Sequence, residues 1–411
     1  MNVLFLGLGK YLSVSGRGIY LDLMRVFRSH GHHVCIVGSM ESGKDAYTLQ
    51  EEDGAFLLRV RTGRIVKTNL IEKGINTLLV EPRYIKAIDA CFRDVKFDLV
   101  LYPTPPITFL NVVKHIKKRD GAVSYLMLKD IFPQNAVDLG MMKKSGPKSV
   151  MYSWFRQKEK NLYAVSDHIG CMSQANVEYL LKHNPEIPSD KVGICPNSTD
   201  IVDQSVSEEK RGEIRKKYRI PEDRTVFIYG GNLGKPQGIP FLIECLKACR
   251  DLEDAFFLVI GNGTEYGKLE KYAQQSGQQN FRLMQRLPKE DYDAMAGAAD
   301  VGMIFLDHRF TIPNFPSRLL SCLSAKLPVL AVTDPNTDIG KVIEEGKFGW
   351  WCESNDAQKF RDKVCTIMKT DRSSMKEAAF AYLKEHYSSE HVYRIITETI
   401  GWKEEEEKPH D

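Results

Sequence analysis

Ile228-Tyr229-Gly230-Gly231-Asn232-Leu233-Gly234-Lys235-Pro236-Gln237-Gly238-Ile239 is the stretch that decides the fold. The apolar run 226–229 enters a loop holding four glycines and one lysine, and a helical apolar pattern follows over 240–250. Strand, glycine loop and helix in that order open a parallel α/β sheet. Lys235 is not followed by Ser or Thr at the required spacing, so the loop is not a P-loop. Exposed backbone N–H groups, a helix N-terminus and one cation still suit a pyrophosphate. Standing alone, the motif also fits a simple tight turn.

Outward from it the alternation continues in both directions. Downstream come strand 256–260, a second glycine turn at 261–263, helix 265–276, a short strand near 281–284 and helix 289–298. Strand 301–305, helix 317–325 and strand 328–332 follow, and residues 355–402 have helical spacing before the charged tail 404–407. Upstream, the polar segment 197–224 predicts an interdomain connection. Before it, apolar runs at 3–8, 34–37, 99–102, 123–128 and 169–172 alternate with helical segments. Unbroken apolar strands separated by helices mean a parallel sheet covered on both faces. The expected domains are 1–200 and 201–385, with a C-terminal helix over 386–411 that can return to the first.

The length of 411 residues suits two domains. Apolar residues at 43% and charged residues at 27% exclude wholesale disorder. No 18-residue apolar run is present, so no membrane-spanning helix is expected. Residues 2–8 lack the basic flank and cleavage site of a signal peptide. Nine cysteines scattered from Cys35 to Cys365 do not form a disulfide pattern. Cys245 and Cys249 have no nearby His or Cys to complete a zinc site, and a reducing cytosol is the expected compartment.

The net charge of +3 hides an asymmetry. Residues 1–200 hold 27 of the 57 basic and 20 of the 54 acidic side chains, and 114–160 alone hold 11 basic against 4 acidic. There Lys143, Lys144, Lys148, Trp154 and Arg156 interleave with Met141, Met142, Met151, Tyr152 and Phe155. Such a segment suits an anionic membrane surface, at ~1 kcal/mol per basic residue near the lipid. The other reading is a solvated helix whose apolar side packs in the core. No nucleic-acid module is present.

Three further motifs carry less. Gly7-Leu8-Gly9 invites a dinucleotide reading, but position 12 is Leu12 and no acid ends the second strand. Its small residues, Gly16 among them, predict a backbone that approaches a ligand. Asp291-Tyr292-Asp293 spells the acidic triplet of metal-using transferases, yet lies in a helical stretch and reads as a solvated face. Arg318 falls in a helix's first turn, a sensible place for a cation when an anion also sits there.

These residues resemble the retaining GT-B glycosyltransferases of family four, closest to bacterial enzymes that build capsule or O-antigen on a lipid carrier. Tyr229-to-Gly238 is similar to the donor-domain glycine loop, and Val259-Ile260-Gly261-Asn262-Gly263 to its second strand and turn. Arg286-Leu287-Pro288 is similar to the segment flanking the nucleotide base, and the run from Phe315 to Val329 to the donor-binding helix and strand. Lys129-Asp130-Ile131-Phe132-Pro133 with Asp138-Leu139-Gly140 resembles the acceptor side.

The resemblance implies an α/β GT-B fold, two Rossmann-like domains facing across an interdomain cleft. It implies metal-independent, cofactor-free transfer from a nucleotide-sugar, UDP-linked, to a lipid-linked saccharide, at the inner face of the cell membrane. Pro313 and Ser321 stand where the family has two glutamates, and Asn232 and Gln237 where its glycine loop has Arg and Lys. Lys235 and Arg318 are then left to neutralise the pyrophosphate. Ser321 is expected at the ribose and Asn314 at the donor sugar, with Gly231, Gly261 and Ser317 in the same site. Asp130 is expected to orient or deprotonate the acceptor hydroxyl; its alternative is a helix N-cap before Ile131. A catalytically silent partner subunit and a sugar-nucleotide epimerase are the rival functions.

Overall fold

The computed structural model describes residues 1–63, 70–146 and 149–403, the side chains of 70–75 excepted. Lys148 of the basic segment and the acidic run 404–407 lie outside the described residues. The chain splits into two compact units. One comprises Met1–Val137, Met142–Asp200 and the chain from Ser389, and the other Asp138–Met141 with Ile201–Ser388.

The first unit contains strands β1 (Asn2–Leu6), β2 (His33–Met40), β3 (Tyr47–Glu52), β4 (Ala55–Arg61), β5 (Leu99–Thr104), β6 (Val123–Leu128), β7 (His168–Cys171) and β8 (Val192–Ile194). Their order is β3-β4-β2-β1-β5-β6-β7-β8, parallel except where β3 runs against β4. That hairpin turns on Asp53 (φ 52°) and Gly54 (φ 73°). Two successive positive φ angles are what a two-residue turn needs to match strand twist.

The second unit contains β9 (Thr225–Asn232), β10 (Ala255–Asn262), β11 (Phe281–Met284), β12 (Val301–Phe305), β13 (Val329–Thr333) and β14 (Gly349–Glu353). All pair in parallel, in the order β11-β10-β9-β12-β13-β14. This is the doubly wound 3-2-1-4-5-6 arrangement, whose ligand position lies between its first and fourth strands. Here that is the β9/β12 boundary, where the glycine loop emerges. Phe227, Tyr229, Phe257, Val259, Met303 and Phe305 from the sheet pack with Leu242, Leu246, Phe360 and Val364 from its helices. Burying each of these large side chains contributes about 1.5–3 kcal/mol.

The C-terminal helix Ser389–Thr399 inserts Val392, Tyr393 and Ile396 into the first unit's core with Val3, Phe5 and Phe27. His32 Nε2 lies 2.8 Å from the Tyr393 hydroxyl, and His30 Nε2 lies 2.9 Å from Glu390. The β3–β4 hairpin, the helix Leu70–Cys91 and strand β14 are elements beyond those expected from sequence.

Candidate active site

β9 delivers Gly230, Gly231 and Asn232 to its carboxyl end. Gly231 has φ 128°, and a Cβ there would lie 2.7 Å from Arg318 Nη2. A Cβ at Gly230 would enter the Tyr292 ring, and one at Gly261 would strike the Gly231 carbonyl across the paired strands. Arg318 opens the helix Arg318–Ser324. It lays its guanidinium over the Tyr229 ring, 4.1 Å from the centroid, and donates from Nε to the Gly230 carbonyl. Among the described residues no carboxylate pairs with it. Lys235 is exposed in the short turn Lys235–Gln237 and likewise has no carboxylate partner among the described residues.

Gln237 Oε1 accepts from Asn232 Nδ2 and from the Gly234 N–H, each at 3.1 Å. The two residues that stand in place of the family's cations therefore brace the loop. Gly238, with φ 58°, turns the chain into the helix Ile239–Ala248. Ser317 is exposed and Ser321 half-buried on the neighbouring helix, and Arg286 is exposed beyond β11, at the sheet's outer edge.

The acidic triplet lies in the helix Lys289–Gly297 but is not a solvated face. Tyr292 packs against Gly230. Asp293 is buried between Gln204 Nε2 and Lys289 Nζ, each at 3.2 Å, and Asp291 sits 3.6 Å from Lys217. The two carboxylates serve separate contacts.

Asn314 has a buried Nδ2 without a hydrogen-bond partner among the described residues, while its carbonyl accepts from Thr337 Oγ1 at 2.6 Å. Thr337 N–H and Asn336 N–H both donate to Asp334 Oδ1, at 3.3 and 2.9 Å. Asp334 is fully buried directly after β13, its Oδ2 also without a partner among the described residues, and burial pushes its carboxyl up to about 6. Sequence reading missed it; the available signal was an acid directly after an all-apolar strand.

The first unit's glycine loop is arranged differently. A Cβ at Gly38 would lie 2.6 Å from Tyr11 Cδ2, and one at Gly9 2.5 Å from Tyr11 Cζ. Glu52 accepts from the N–H groups of Val14 at 3.1 Å and Ser15 at 3.4 Å and from the Ser13 hydroxyl, contacts that hold its carboxyl below the usual range. The Gly16 carbonyl accepts from Arg25 Nη1 at 2.7 Å, and Arg25 also pairs with Asp22 and Asp200 at 2.6 Å each. The small residues seat the chain's own Tyr11, and a carboxylate already occupies the turn's N–H groups, where a ligand was expected.

Asp130 follows β6, and burial pushes its carboxyl up to about 6. The next helix begins only at Gln134, so the N-cap reading of Asp130 fails. Its carbonyl accepts from Thr104 Oγ1 at 3.2 Å. Beside it, the Lys129 amine donates to the carbonyls of Cys195 at 3.0 Å and Pro196 at 3.1 Å, and burial lowers its pKa. A carboxyl that titrates near 6 is ionised at neutral pH and is a stronger proton acceptor than an ordinary aspartate.

Much of the basic segment is spent internally. Lys117 pairs with Asp167 at 2.7 Å, and Arg119 with Asp120 and Asp89 at 2.7 and 3.1 Å. Arg156 binds the buried Glu159 and Asn184 Oδ1, each at 2.5 Å, so it faces the fold instead of a membrane. Lys143 and Lys144 are exposed, and Lys158 lies 5.2 Å over the Trp154 ring. Val150, Met151 and Trp154 are exposed along the helix Ser149–Val165. Among the described residues no helix is long and apolar enough to cross a membrane.

Two Rossmann-like sheets, one with a glycine loop at its switch point beside two cations that have no carboxylate partner among the described residues, define a doubly wound α/β fold with a candidate anion site. Residues 210–382 match the family described as "Glycosyl transferases group 1". The chain is a glycosyltransferase of GT-B fold, similar to family four as its motifs implied. It is 26% identical over 324 residues to WbjE of Pseudomonas aeruginosa, named a probable glycosyltransferase, covering 78% of each chain. It is 24% identical over 256 residues, 61% of each chain, to WcaI of Escherichia coli (strain K12), whose name assigns it to colanic acid biosynthesis as a glycosyl transferase. The match thus spans about three-fifths of WcaI. Anabaena Alr3699/HepE, solved in complex with UDP, has the same fold: TM-score 0.66, 13% identity, 98% of this chain and 100% of that one.

Proposed function

We propose that the protein transfers a hexosyl or N-acetylhexosaminyl group, with retention and without a metal, from a UDP-linked donor to a lipid-diphosphate-linked saccharide of a bacterial surface polysaccharide. The observation that carries this reading is the pair Arg318 and Lys235, two cations without carboxylate partners among the described residues, beside the β9 glycine loop. Breaking a sugar–phosphate bond gathers negative charge on the departing diphosphate. Preorganised N–H groups and cations at that position lower the barrier. Asn314, with its buried amide nitrogen unpartnered among the described residues, is assigned to the donor sugar, Ser321 to the ribose and Arg286 to the base. Asp130 is assigned to the acceptor hydroxyl. The UDP of HepE and the polysaccharide role in WcaI's name support donor and pathway class.

The acceptor's lipid calls for work at the membrane's inner face. Lys143 and Lys144 with exposed Val150, Met151 and Trp154 supply the basic and apolar groups for that contact.

The test is a nucleotide-sugar panel incubated with purified protein, with and without membrane extract. Transfer that requires the extract is the expected result. A product formed from donor alone selects an epimerase. Neither binding nor turnover of any donor, with an active transferase copurifying, selects a silent partner subunit. In parallel, Lys143→Glu with Lys144→Glu should abolish salt-sensitive binding to anionic vesicles while sparing UDP binding; persistence would remove this segment from the membrane contact.

A further inference from the structure

A concavity of about 200 Å³, open to solvent, lies at the carboxyl ends of β2 and β4 in the first unit. Glu41, Tyr47, Arg61, Asn76, Arg83 and Lys86 line it. Three of these are cations, and none has a carboxylate partner among the described residues. Arg61 Nη1 is fixed by the carbonyls of Gly43 and Lys44 at 2.8 and 3.2 Å, and Arg83 Nη1 by that of Thr62 at 2.8 Å. Lys86 is exposed, one helical turn beyond Arg83. Glu41, the one lining acid among the described residues, pairs with Lys10 at 3.0 Å.

Carbonyl contacts orient a guanidinium without neutralising it, so among the described residues three positive charges line the concavity against one carboxylate, and that one is paired with Lys10. An oxyanion entering there relieves their repulsion and gains charge-assisted hydrogen bonds from donors already held in place. The location agrees, because ligands of open parallel sheets sit at the carboxyl ends of the strands. Tyr47 adds a ring face, a group suited to a sugar that carries the anion. The charge count conceals this cluster, because Glu51, Glu52 and Asp53 nearby in sequence offset it numerically while Glu52 is committed to the Ser13–Ser15 turn.

We propose that this concavity binds an oxyanion carried by the acceptor substrate, a phosphate or a sugar carboxylate. The word acceptor rests on the glycosyltransferase function proposed above; the anion site itself does not.

The test uses the full chain with Arg318→Ala, which weakens pyrophosphate binding at the β9 loop, so that the dependence on Arg83 and Lys86 identifies binding at the concavity. It is titrated calorimetrically with inorganic pyrophosphate and with methyl glucuronide. Saturable binding of at least one is expected, weakened at least tenfold by adding Arg83→Gln and Lys86→Glu. Saturation by pyrophosphate alone points to the lipid's diphosphate, and saturation by the glucuronide to an acidic sugar. Lys86→Glu alone, at an exposed position, repeats the measurement with less risk to folding. No saturable binding of either probe, or binding untouched by the substitutions, overturns the proposal. UDP titration of the chain with only Arg83→Gln and Lys86→Glu reports separately on the donor site, so the two readings fail independently.

Discussion

Each unit begins with a strand, a glycine-rich turn and a helix, yet the two turns are used in opposite ways. In the second unit the glycines leave room beside Arg318 and expose Lys235. In the first, Gly9 and Gly38 make room for Tyr11, and Glu52 takes the N–H groups of Val14 and Ser15. A glycine-rich turn therefore reports that the backbone is closely approached, and not by what. The approaching group can be the chain's own side chain.

If the first unit contributes chemistry from the end of β6 and not from its glycine turn, Asp130→Asn should give the largest loss. A drop of roughly 10²–10⁴ in kcat is expected for a lost general base, with donor affinity retained. The wild-type kcat/KM should rise with pH through about 6, because the burial-raised carboxyl must ionise to act. Its stability effect has the opposite slope. A folded pKa above the unfolded one favours the fold at low pH, and that contribution is lost as pH rises through about 6. Full activity of the Asn variant would break the assignment.

In the second unit, Arg318→Ala should weaken UDP binding by ~1.5–3 kcal/mol, the worth of a charged hydrogen bond. Unchanged calorimetric affinity would remove Arg318 from the site. Gln237→Ala loosens the loop by two neutral hydrogen bonds and should weaken UDP by ~0.5–1.5 kcal/mol. The smallest effect belongs to the first unit's turn: Glu52→Gln should lower Tm slightly and leave UDP affinity unchanged. Glu52's depressed pKa means its stabilisation is present above the ordinary glutamate range and lost as pH falls through the folded value. The Tm gap to the variant should therefore close on acidification. A UDP response to Glu52→Gln would erase the contrast between the two turns.

The second sheet was legible because β9, β10, β12 and β13 are each built on an apolar run bounded by turn residues, a purely local signal. The first sheet was read less completely. Alternating β3 and β4 joined by Asp53-Gly54 carry a hairpin signal, but the polar Tyr47–Glu52 hides it from a search for apolar runs. Glu52 reaching Ser13, 39 residues away, depends on where loops meet after folding, whereas Gln237 reaching Asn232 and Asp334 reaching Thr337 depend on the turn each loop adopts. Spacing revealed Arg318 as an odd cation at a helix start. It could not reveal that Arg156, equally basic, turns inward to Glu159.

The return of Ser389–Thr399 to the first unit has a consequence for synthesis. Val392, Tyr393 and Ile396 complete a hydrophobic core whose other members, Val3 and Phe5 among them, leave the ribosome first. The whole of Ile201–Ser388 is made in between. The second sheet, built from one nearly continuous stretch, can close while its neighbour still waits for its final helix. Assembly order is thus the reverse of sequence order, and the earliest-made strands keep an apolar face uncovered the longest.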